Sequence, residues 1–288
     1  MLAHAVGGRV LQVSPRSADK LTADGRQQLV RHFVALCAPL EECRSADPDL
    51  LPKKHLRRLP GGAPRMQQIY LNFHGLGAPS AHVSDEERPY WLPPEHFATI
   101  LRLVRDFETD DRKVHITFDD GNKSDITIAM PILQKFHRIA SFFLLSDRIG
   151  KAGFLDASDI VRLRDAGMTI GSHGAAHVNW TTLDDAELSR QVTRSLRVLS
   201  DFVGKPVAMV AAPFGGYDLR VLDLLRPLNI AVVFTSDGGP VRPSAWIKPR
   251  TTIRTDTSLE IIEALVSGRL PPLQRLRFFI RRHRQPRR

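Results

Sequence analysis

The chain has 288 residues, of which 42% are hydrophobic, enough to form a core, so a wholly disordered protein is excluded. Two cysteines are too few for a disulfide-stapled secreted scaffold. No apolar run approaches the about 20 residues of a membrane span, and the N-terminus has no signal-peptide pattern, so we expect a cytoplasmic protein. The 41 Lys and Arg residues exceed the 31 Asp and Glu residues, but most of this excess lies in residues 264–288.

Residues 1–65 are predicted to be an N-terminal extension, in which a helical pattern precedes a stretch rich in Pro. From Met66 onward, short apolar runs alternate with longer amphipathic segments. The apolar runs predict buried strands at 68–73, 114–118, 140–145, 168–172, 207–212 and 230–235. The segments between them predict helices at 94–106, 124–138, 157–166, 184–202 and 218–227, three of which begin after an expected N-cap, Asp156, Asp184 or Asp218.

Alternating strands and helices indicate an α/β protein with a parallel sheet buried on both faces. Six such units in roughly 200 residues favour a closed or nearly closed (β/α) barrel. We predict this barrel over residues 66–268, followed by a basic amphipathic tail over 269–288. A doubly wound open sheet is the alternative.

Polar residues follow the carboxyl ends of the predicted strands, where the chemistry of such barrels gathers. The adjacent Asp119 and Asp120 point in different directions on a strand, so one can bind a metal while the other acts as a base. His173 and His177 share one face if they lie on a helical turn. Two His and one carboxylate form a three-ligand metal site that is open to water. Each feature alone is weak evidence, since Asp-Asp-Gly is also a common turn signal.

Three motifs together resemble the polysaccharide deacetylase (NodB-homology) family over about residues 66–253. They are Thr117-Phe118-Asp119-Asp120-Gly121, His173-x-x-x-His177 and Ala212-Pro213-Phe214-Gly215. The resemblance implies a distorted (β/α) barrel. It also implies a metal-dependent hydrolase that removes acetyl groups, mostly N-acetyl groups, from amino-sugar polymers and oligomers.

Site residues follow from the same resemblance. Asp119 resembles the general base, and Asp120, His173 and His177 resemble the ligands of a divalent metal, for which we expect Zn²⁺, with Co²⁺, Ni²⁺ and Mn²⁺ as alternatives.

The loop formed by Pro213, Phe214 and Gly215 resembles the wall of the substrate groove that offers a backbone N–H to the oxyanion. Asp237 lies where the fourth family motif begins.

The sequence departs from the family pattern at three points. Gly174 replaces the usual Ser or Thr, Ala211 replaces the usual Arg, and the late Leu-x-His motif is missing.

We hypothesise that Arg250 pairs with Asp119 in place of the missing Arg, although it could equally be a solvated loop residue. We hypothesise that His74 is the general acid, the alternative being a His that only bonds a neighbouring loop. Trp180 is predicted either to stack on a sugar ring or to pack in the core.

The positive charge is concentrated at the C-terminus. Residues 264–288 contain eight Arg and no acidic residue, whereas the rest of the chain has 33 basic and 31 acidic residues. A near-neutral body argues against a nucleic-acid partner. The spacing of Leu273, Leu276, Phe279 and Ile280 predicts a basic amphipathic helix that lies on an anionic membrane. The alternative is a last helix docked on the barrel with a frayed end.

These observations lead us to expect a metal-dependent N-deacetylase in the cytoplasm, with peripheral placement at the inner face of the membrane. Its expected partner is an N-acetylated amino-sugar oligomer or polymer of surface or exopolysaccharide synthesis. Three alternatives stay open: a deacylase for an O-acetyl ester or a non-sugar amide, a glycan-binding protein on a catalytically impaired barrel, and a structural partner of a membrane synthase.

Overall fold

A computed structural model describes residues 66–79 and 83–284 of the chain. The predicted extension at residues 1–65 lies outside the described residues. No helix in the described ranges combines the length and the apolar character that crossing a membrane requires.

Within these ranges, seven parallel strands close into a barrel in the order β1-β4-β5-β6-β7-β8-β9, with β9 pairing back onto β1. The predicted (β/α) barrel is therefore confirmed, and the open sheet is excluded. Two further short strands, β2 and β3, pair only with each other. The strands are β1 Gln67–Phe73, β2 Gly75–Leu76, β3 Trp91–Leu92, β4 Arg112–Asp120, β5 Ala140–Leu144, β6 Thr169–Ser172, β7 Met209–Ala211, β8 Val232–Thr235 and β9 Ile247–Thr252.

The helices alternate with the strands and bury their apolar faces in the core that the strands share. Asp156, Asp184 and Asp218 each accept a hydrogen bond from a backbone N–H of the first turn, which confirms the three predicted N-caps. The helices are α1 Pro94–Phe107, α2 Met130–Lys135, α3 Ala157–Asp165, α4 Asp185–Val203, α5 Leu219–Leu225, α6 Leu259–Val266 and α7 Pro272–Arg284.

The continuous helix predicted at 124–138 is interrupted. A π-helical turn, Asp125–Ala129, comes directly after the loop that follows β4 and leads into α2. Single π-helical turns are frequently found at functional sites.

The strand that closes the barrel, β9, was not predicted. Its sequence, Ile-Lys-Pro-Arg-Thr-Thr, contains a Pro and two cations, so it lacks the apolar character of the other strands. Lys248 and Arg250 are nonetheless buried, because each has polar partners inside the barrel. Lys248 donates to Gln68 and Arg250 donates to Asp119. Arg250 therefore lies in a barrel strand, and the alternative of a solvated loop residue is wrong.

Candidate metal centre

The strand β4 ends in two adjacent carboxylates whose side chains point in different directions. Both Asp119 and Asp120 are buried, but Asp120 has a left-handed backbone conformation, with φ of 78°. Asp119 therefore faces Arg250, whereas Oδ1 of Asp120 faces His173 and His177. The two side chains therefore point in different directions, although Nε2 of His173 lies near both, at 4.0 Å from Oδ2 of Asp119.

Three side chains form a cluster that can bind a metal. One ligand atom from each of Asp120, His173 and His177 lies within 4.8 Å of the others. Oδ1 of Asp120 is 3.8 Å from Nε2 of His173 and 3.6 Å from Nε2 of His177. Nδ1 of His173 lies 2.9 Å from the carbonyl oxygen of Ala211. In the tautomer that carries its proton on Nδ1, this nitrogen donates to the carbonyl, and the lone pair of Nε2 is free to bind a metal.

The donor set fits a divalent metal ion. Oδ1 of Asp120 is buried and has no hydrogen-bond partner among the described residues. A buried carboxylate oxygen without a hydrogen-bond donor is unfavourable, and Arg148 reaches it only as an ion pair at 3.6 Å, so a bound metal ion would stabilise it further. Two imidazole nitrogens and one carboxylate are the ligands of many catalytic zinc sites, which keep one position open for water.

The two His ligands are held by a loop and not by a helical turn. Residues 173–177 follow β6 as a loop that contains Gly174 with φ of 89°. The ring centroids of His173 and His177 are 5.5 Å apart. The spacing correctly predicted that they meet, but the helical reason for it was wrong.

Gly174 suits this loop for two reasons. Its positive φ strains any residue with a β-carbon. A β-carbon at this position would also lie only 3.2 Å from Nε1 of Trp180. The Gly174 N–H donates to Oγ of Ser172 over 3.0 Å, which anchors the loop at the end of β6. This packing accounts for the Gly at a position where Ser or Thr was expected.

Arg250 and Asp119 form a bidentate ion pair inside the barrel. The two guanidinium nitrogens Nη1 and Nη2 lie 2.6 and 2.7 Å from Oδ1 and Oδ2, and the arginine is completely buried. Asn72 also donates to Asp119, over 2.9 Å. Burial alone would raise the pKa of the Asp119 carboxyl, but the Arg250 guanidinium, with His173, outweighs it and holds the pKa below its usual range. Asp119 is therefore ionised at neutral pH.

The guanidinium also lies over aromatic rings. Its carbon is 5.2 Å from the ring centroid of Phe143 and 5.8 Å from that of Phe234. Ala211 is buried in the same cluster. The barrel interior thus places an arginine next to Asp119, but the arginine comes from β9 and not from β7, the strand of Ala211.

His74 follows β1 and lines the same groove as Asp119 and Asp120. Its Nδ1 is buried without a hydrogen-bond partner, and the Tyr90 ring lies 4.9 Å away. Burial lowers the pKa of His74, although the two carboxylates act in the opposite direction. The imidazole is therefore mostly neutral at pH 7.

The groove has a volume of about 750 Å³. Asp119, His74 and the three clustered side chains line it together. The exposed ring of Phe214 stacks on His177 with a centroid distance of 4.3 Å and forms one wall. Other walls come from the β1–α1 connection, through Glu87 and Tyr90, and from α7, through Gln274, Phe278 and Arg281.

In the loop around Phe214, one backbone N–H is not used in a hydrogen bond with another described residue. Pro213 has no N–H, and the N–H of Gly215 donates to the Ala212 carbonyl over 3.0 Å. The Phe214 N–H has no acceptor among the described residues. Of the loop residues named from the sequence, Phe214 alone lines the groove.

Two sequence-predicted substrate residues do not reach the groove. Trp180 is fully buried and packs with Leu188 and Val192, so stacking on a sugar ring is wrong and the core alternative holds. Asp237 is buried, and its Oδ2 accepts hydrogen bonds of 2.8 Å from Tyr217 and from Thr235. These bonds stabilise the loop after β8 and keep the carboxylate away from the groove.

Sequence reasoning missed Arg148 and Asn72. Nη1 of Arg148 is 3.6 Å from Oδ1 of Asp120, and Nη2 is 3.7 Å from Glu87. Arg148 follows the carboxyl end of β5, so a search for polar residues after the carboxyl ends of the predicted strands could have found it. Asn72 lies inside β1, where a buried polar residue among apolar neighbours was the available signal.

Comparison with known proteins gives consistent results. The family model described as polysaccharide deacetylase matches residues 106–233. The chitooligosaccharide deacetylase of Azorhizobium caulinodans is 27% identical over 154 residues, which are 53% of this chain and 70% of that protein. The protein YxkH of Bacillus subtilis is 23% identical over 155 residues, 52% of this chain. This match covers 56% of YxkH, little more than half of its length.

Solved structures show the same fold. The deacetylase PplD of Streptococcus pyogenes aligns with a TM-score of 0.61 at 19% identity, over 70% of this chain and 99% of PplD. IcaB from Ammonifex degensii aligns with a TM-score of 0.59 at 20% identity, over 70% of this chain and 97% of IcaB. The aligned share corresponds in size to the barrel described above.

Proposed function

We propose that the chain is a member of the polysaccharide deacetylase family, as the family match, the relatives and the fold support, and that it is a metal-dependent hydrolase that removes N-acetyl groups from an amino-sugar oligo- or polysaccharide. The observation that carries the proposal is the ionised Asp119 beside the Asp120, His173 and His177 cluster in a single groove. Oδ2 of Asp119 is 4.0 Å from Nε2 of His173, so the carboxylate lies next to the ligands without being one of the three.

Asp120, His173 and His177 would hold a divalent cation, with Zn²⁺ preferred for this donor set. When bound there, such a cation would polarise the acetyl carbonyl and would lower the pKa of water to near neutrality. Co²⁺, Ni²⁺ or Mn²⁺ could take its place with the same ligands.

Asp119 is the proposed general base. It accepts a proton from the attacking water, and Arg250 and Asn72 hold its carboxylate in one orientation. Because each carboxylate oxygen has more than one acceptor site, the ion pair does not use up its capacity to take a proton. Arg250 is thus a proposed positioning residue for the base.

His74 is the proposed general acid. The amine leaves only when it is protonated, and His74 is the groove-lining His that is not in the metal cluster. Because the imidazole is mostly neutral at pH 7, it would take up a proton from solvent at the unpartnered Nδ1 and pass that proton to the leaving nitrogen. The Phe214 N–H is the proposed donor to the oxyanion that forms on the acetyl oxygen.

The ion pair supports the hydrolase over a glycan-binding protein on an impaired barrel. The loss of the usual Arg at Ala211 is one of three departures that favour impairment, with Gly174 and the missing Leu-x-His motif, and Arg250 pairs with the proposed base from another strand. We also propose a role in surface or exopolysaccharide synthesis, on the cytoplasmic side of a membrane, which the basic helix α7 supports through its charge.

Acetate release after loading with zinc tests the proposal. Suitable substrates are chito-oligosaccharides, an O-acetylated sugar and a non-sugar acetamide. We expect release from the chito-oligosaccharides, and we expect Asp119→Asn to lose at least about 100-fold in kcat while it keeps its metal. Release only from the ester or the acetamide would reassign the substrate class. A zinc-loaded protein that releases no acetate from any substrate would contradict the hydrolase.

A further inference from the structure

The C-terminal helix α7 has an inner face that packs on the barrel. Phe278 is buried against Gly238 and Gly239, where a β-carbon would come within 2.4 and 2.8 Å of its ring. Nη2 of Arg282 donates to the carbonyls of Gly238 and Pro240 over 2.6 and 2.9 Å. These contacts dock the helix, which matches the docked alternative expected from the sequence.

The outer face of the same helix is apolar and exposed. Leu273, Leu276 and Phe279 have 61%, 50% and 58% of their surface exposed. Residues spaced by three lie on one side of a helix, so these three side chains form one stripe. The docking contacts of Phe278 and Arg282 do not use this stripe.

Arginines surround the stripe. Arg275 and Arg277 alternate with its apolar residues, and residues 264–288 contain eight Arg and no acid. The rest of the chain is close to neutral. The complementary partner is therefore a surface that is anionic at its boundary and apolar beneath, as an anionic phospholipid bilayer is.

We propose that the outer face of α7, formed by Leu273, Leu276 and Phe279 with Arg275 and Arg277, binds an anionic phospholipid bilayer. The apolar side chains enter the boundary between headgroups and acyl chains, and the arginines pair with the lipid phosphates. A second copy of the chain fits less well, because the arginines of two such faces would repel one another.

The position of α7 links this surface to the groove. Gln274, Phe278 and Arg281 line the groove, and the stripe lies on the same helix. A membrane-bound α7 therefore places the groove at the membrane surface. Combined with the proposed function, on which this step rests, the favoured substrate class is a glycan that is tethered to the membrane or emerges from it.

Co-sedimentation of the full chain with lipid vesicles tests the surface. We expect binding to vesicles that contain phosphatidylglycerol and not to phosphatidylcholine alone, with an affinity that falls as salt rises. Arg275→Gln and Arg277→Gln should each weaken binding about fivefold. The triple variant Leu273→Ser, Leu276→Ser, Phe279→Ser should weaken it at least about tenfold.

Matched controls come from other exposed residues. The double variant Ile139→Ser, Leu219→Ser removes side chains that are 69% and 57% exposed elsewhere, and it should bind vesicles like the unaltered chain. The triple variant should still release acetate from a soluble oligosaccharide at the unaltered rate. A failure of vesicle binding is thereby distinguished from a failure of the proposed function.

Three outcomes would overturn the proposal. The first is a full chain that does not bind anionic vesicles. The second is a triple variant that binds them as well as the unaltered chain. The third is a dimer in solution that the triple variant dissociates, which would assign the face to a second copy.

Discussion

At the scale of single residues, the proposed base depends on Arg250. Two short hydrogen bonds hold Asp119, and both ends of the ion pair are buried. Removing one partner of a buried pair leaves an uncompensated charge, which costs about 3–5 kcal/mol of folding free energy. The same change frees the carboxylate to rotate away from the attacking water.

Arg250→Lys should therefore lower kcat about 10–100-fold with little change in bound metal, because a point charge cannot hold both carboxylate oxygens. Activity and metal content of the folded variant are the measurements. Lys248→Met is the control, since Lys248 is buried on the same strand but does not line the groove. An Arg250→Lys variant with unchanged kcat would show that the pair is structural only.

If His74 is the general acid, the loss of activity on its replacement should depend on the leaving group of the substrate. His74→Ala should lower acetate release from an amide about 100-fold or more. It should barely change the hydrolysis of nitrophenyl acetate, whose leaving group departs without a proton. Equal losses on the two substrates would contradict the role of general acid and would indicate damage to the groove.

Other roles could not be inferred from residue type alone. Trp180 follows the His motif closely, yet it points into the core, because sequence proximity does not specify on which side of a loop a ring lies. Asp237 was expected near the substrate but bonds to Tyr217, 20 residues earlier in the chain. Such long-range partners leave no periodic signal in a single sequence.

At the scale of elements, the loop from His173 to His177 sets the ligand geometry. Gly174 has φ of 89° and lies against Trp180. Gly174→Ala should lower the free energy of unfolding by about 1–2 kcal/mol and weaken zinc binding about 10–100-fold. Zinc titration and thermal unfolding measure the two effects.

Gly204→Ala is the matched control for this prediction. Gly204 also has a positive φ, 74°, but it ends α4, and a β-carbon there would meet no atom within 4 Å. It should lose similar stability and bind zinc normally. Equal zinc affinities for the two variants would mean that the ligand loop does not depend on Gly174.

The strands with apolar runs were predictable, and β9 was not. Six barrel strands bury Val, Ile and Phe, and the period of these residues is visible in the sequence. β9 buries Lys248 and Arg250, whose burial is tolerated only because Gln68 and Asp119 bind them across the barrel. A strand stabilised by distant polar partners cannot be recognised from local composition.

At the scale of the whole molecule, the metal should couple to stability. The buried Oδ1 of Asp120 lacks a hydrogen-bond donor among the described residues, and Arg148 reaches it only at 3.6 Å, so a cation that binds only the folded state adds a stabilising contact. Zinc at about 100 times its Kd should add about 2.7 kcal/mol to the free energy of unfolding. A chelator should lower the Tm of the zinc-loaded protein. A Tm that responds to neither would argue against a metal site.

The most direct test of the metal centre is the metal content of the purified protein after incubation with zinc, compared with that of the double variant His173→Ala, His177→Ala. His137→Asn is the control, because His137 is exposed and Asn tolerates its positive φ of 52°. We expect close to one ion per chain in the unaltered protein and in the control, and none in the double variant. An unaltered chain that binds no metal, or a double variant that binds as much, would contradict the metal centre and with it the proposed hydrolase.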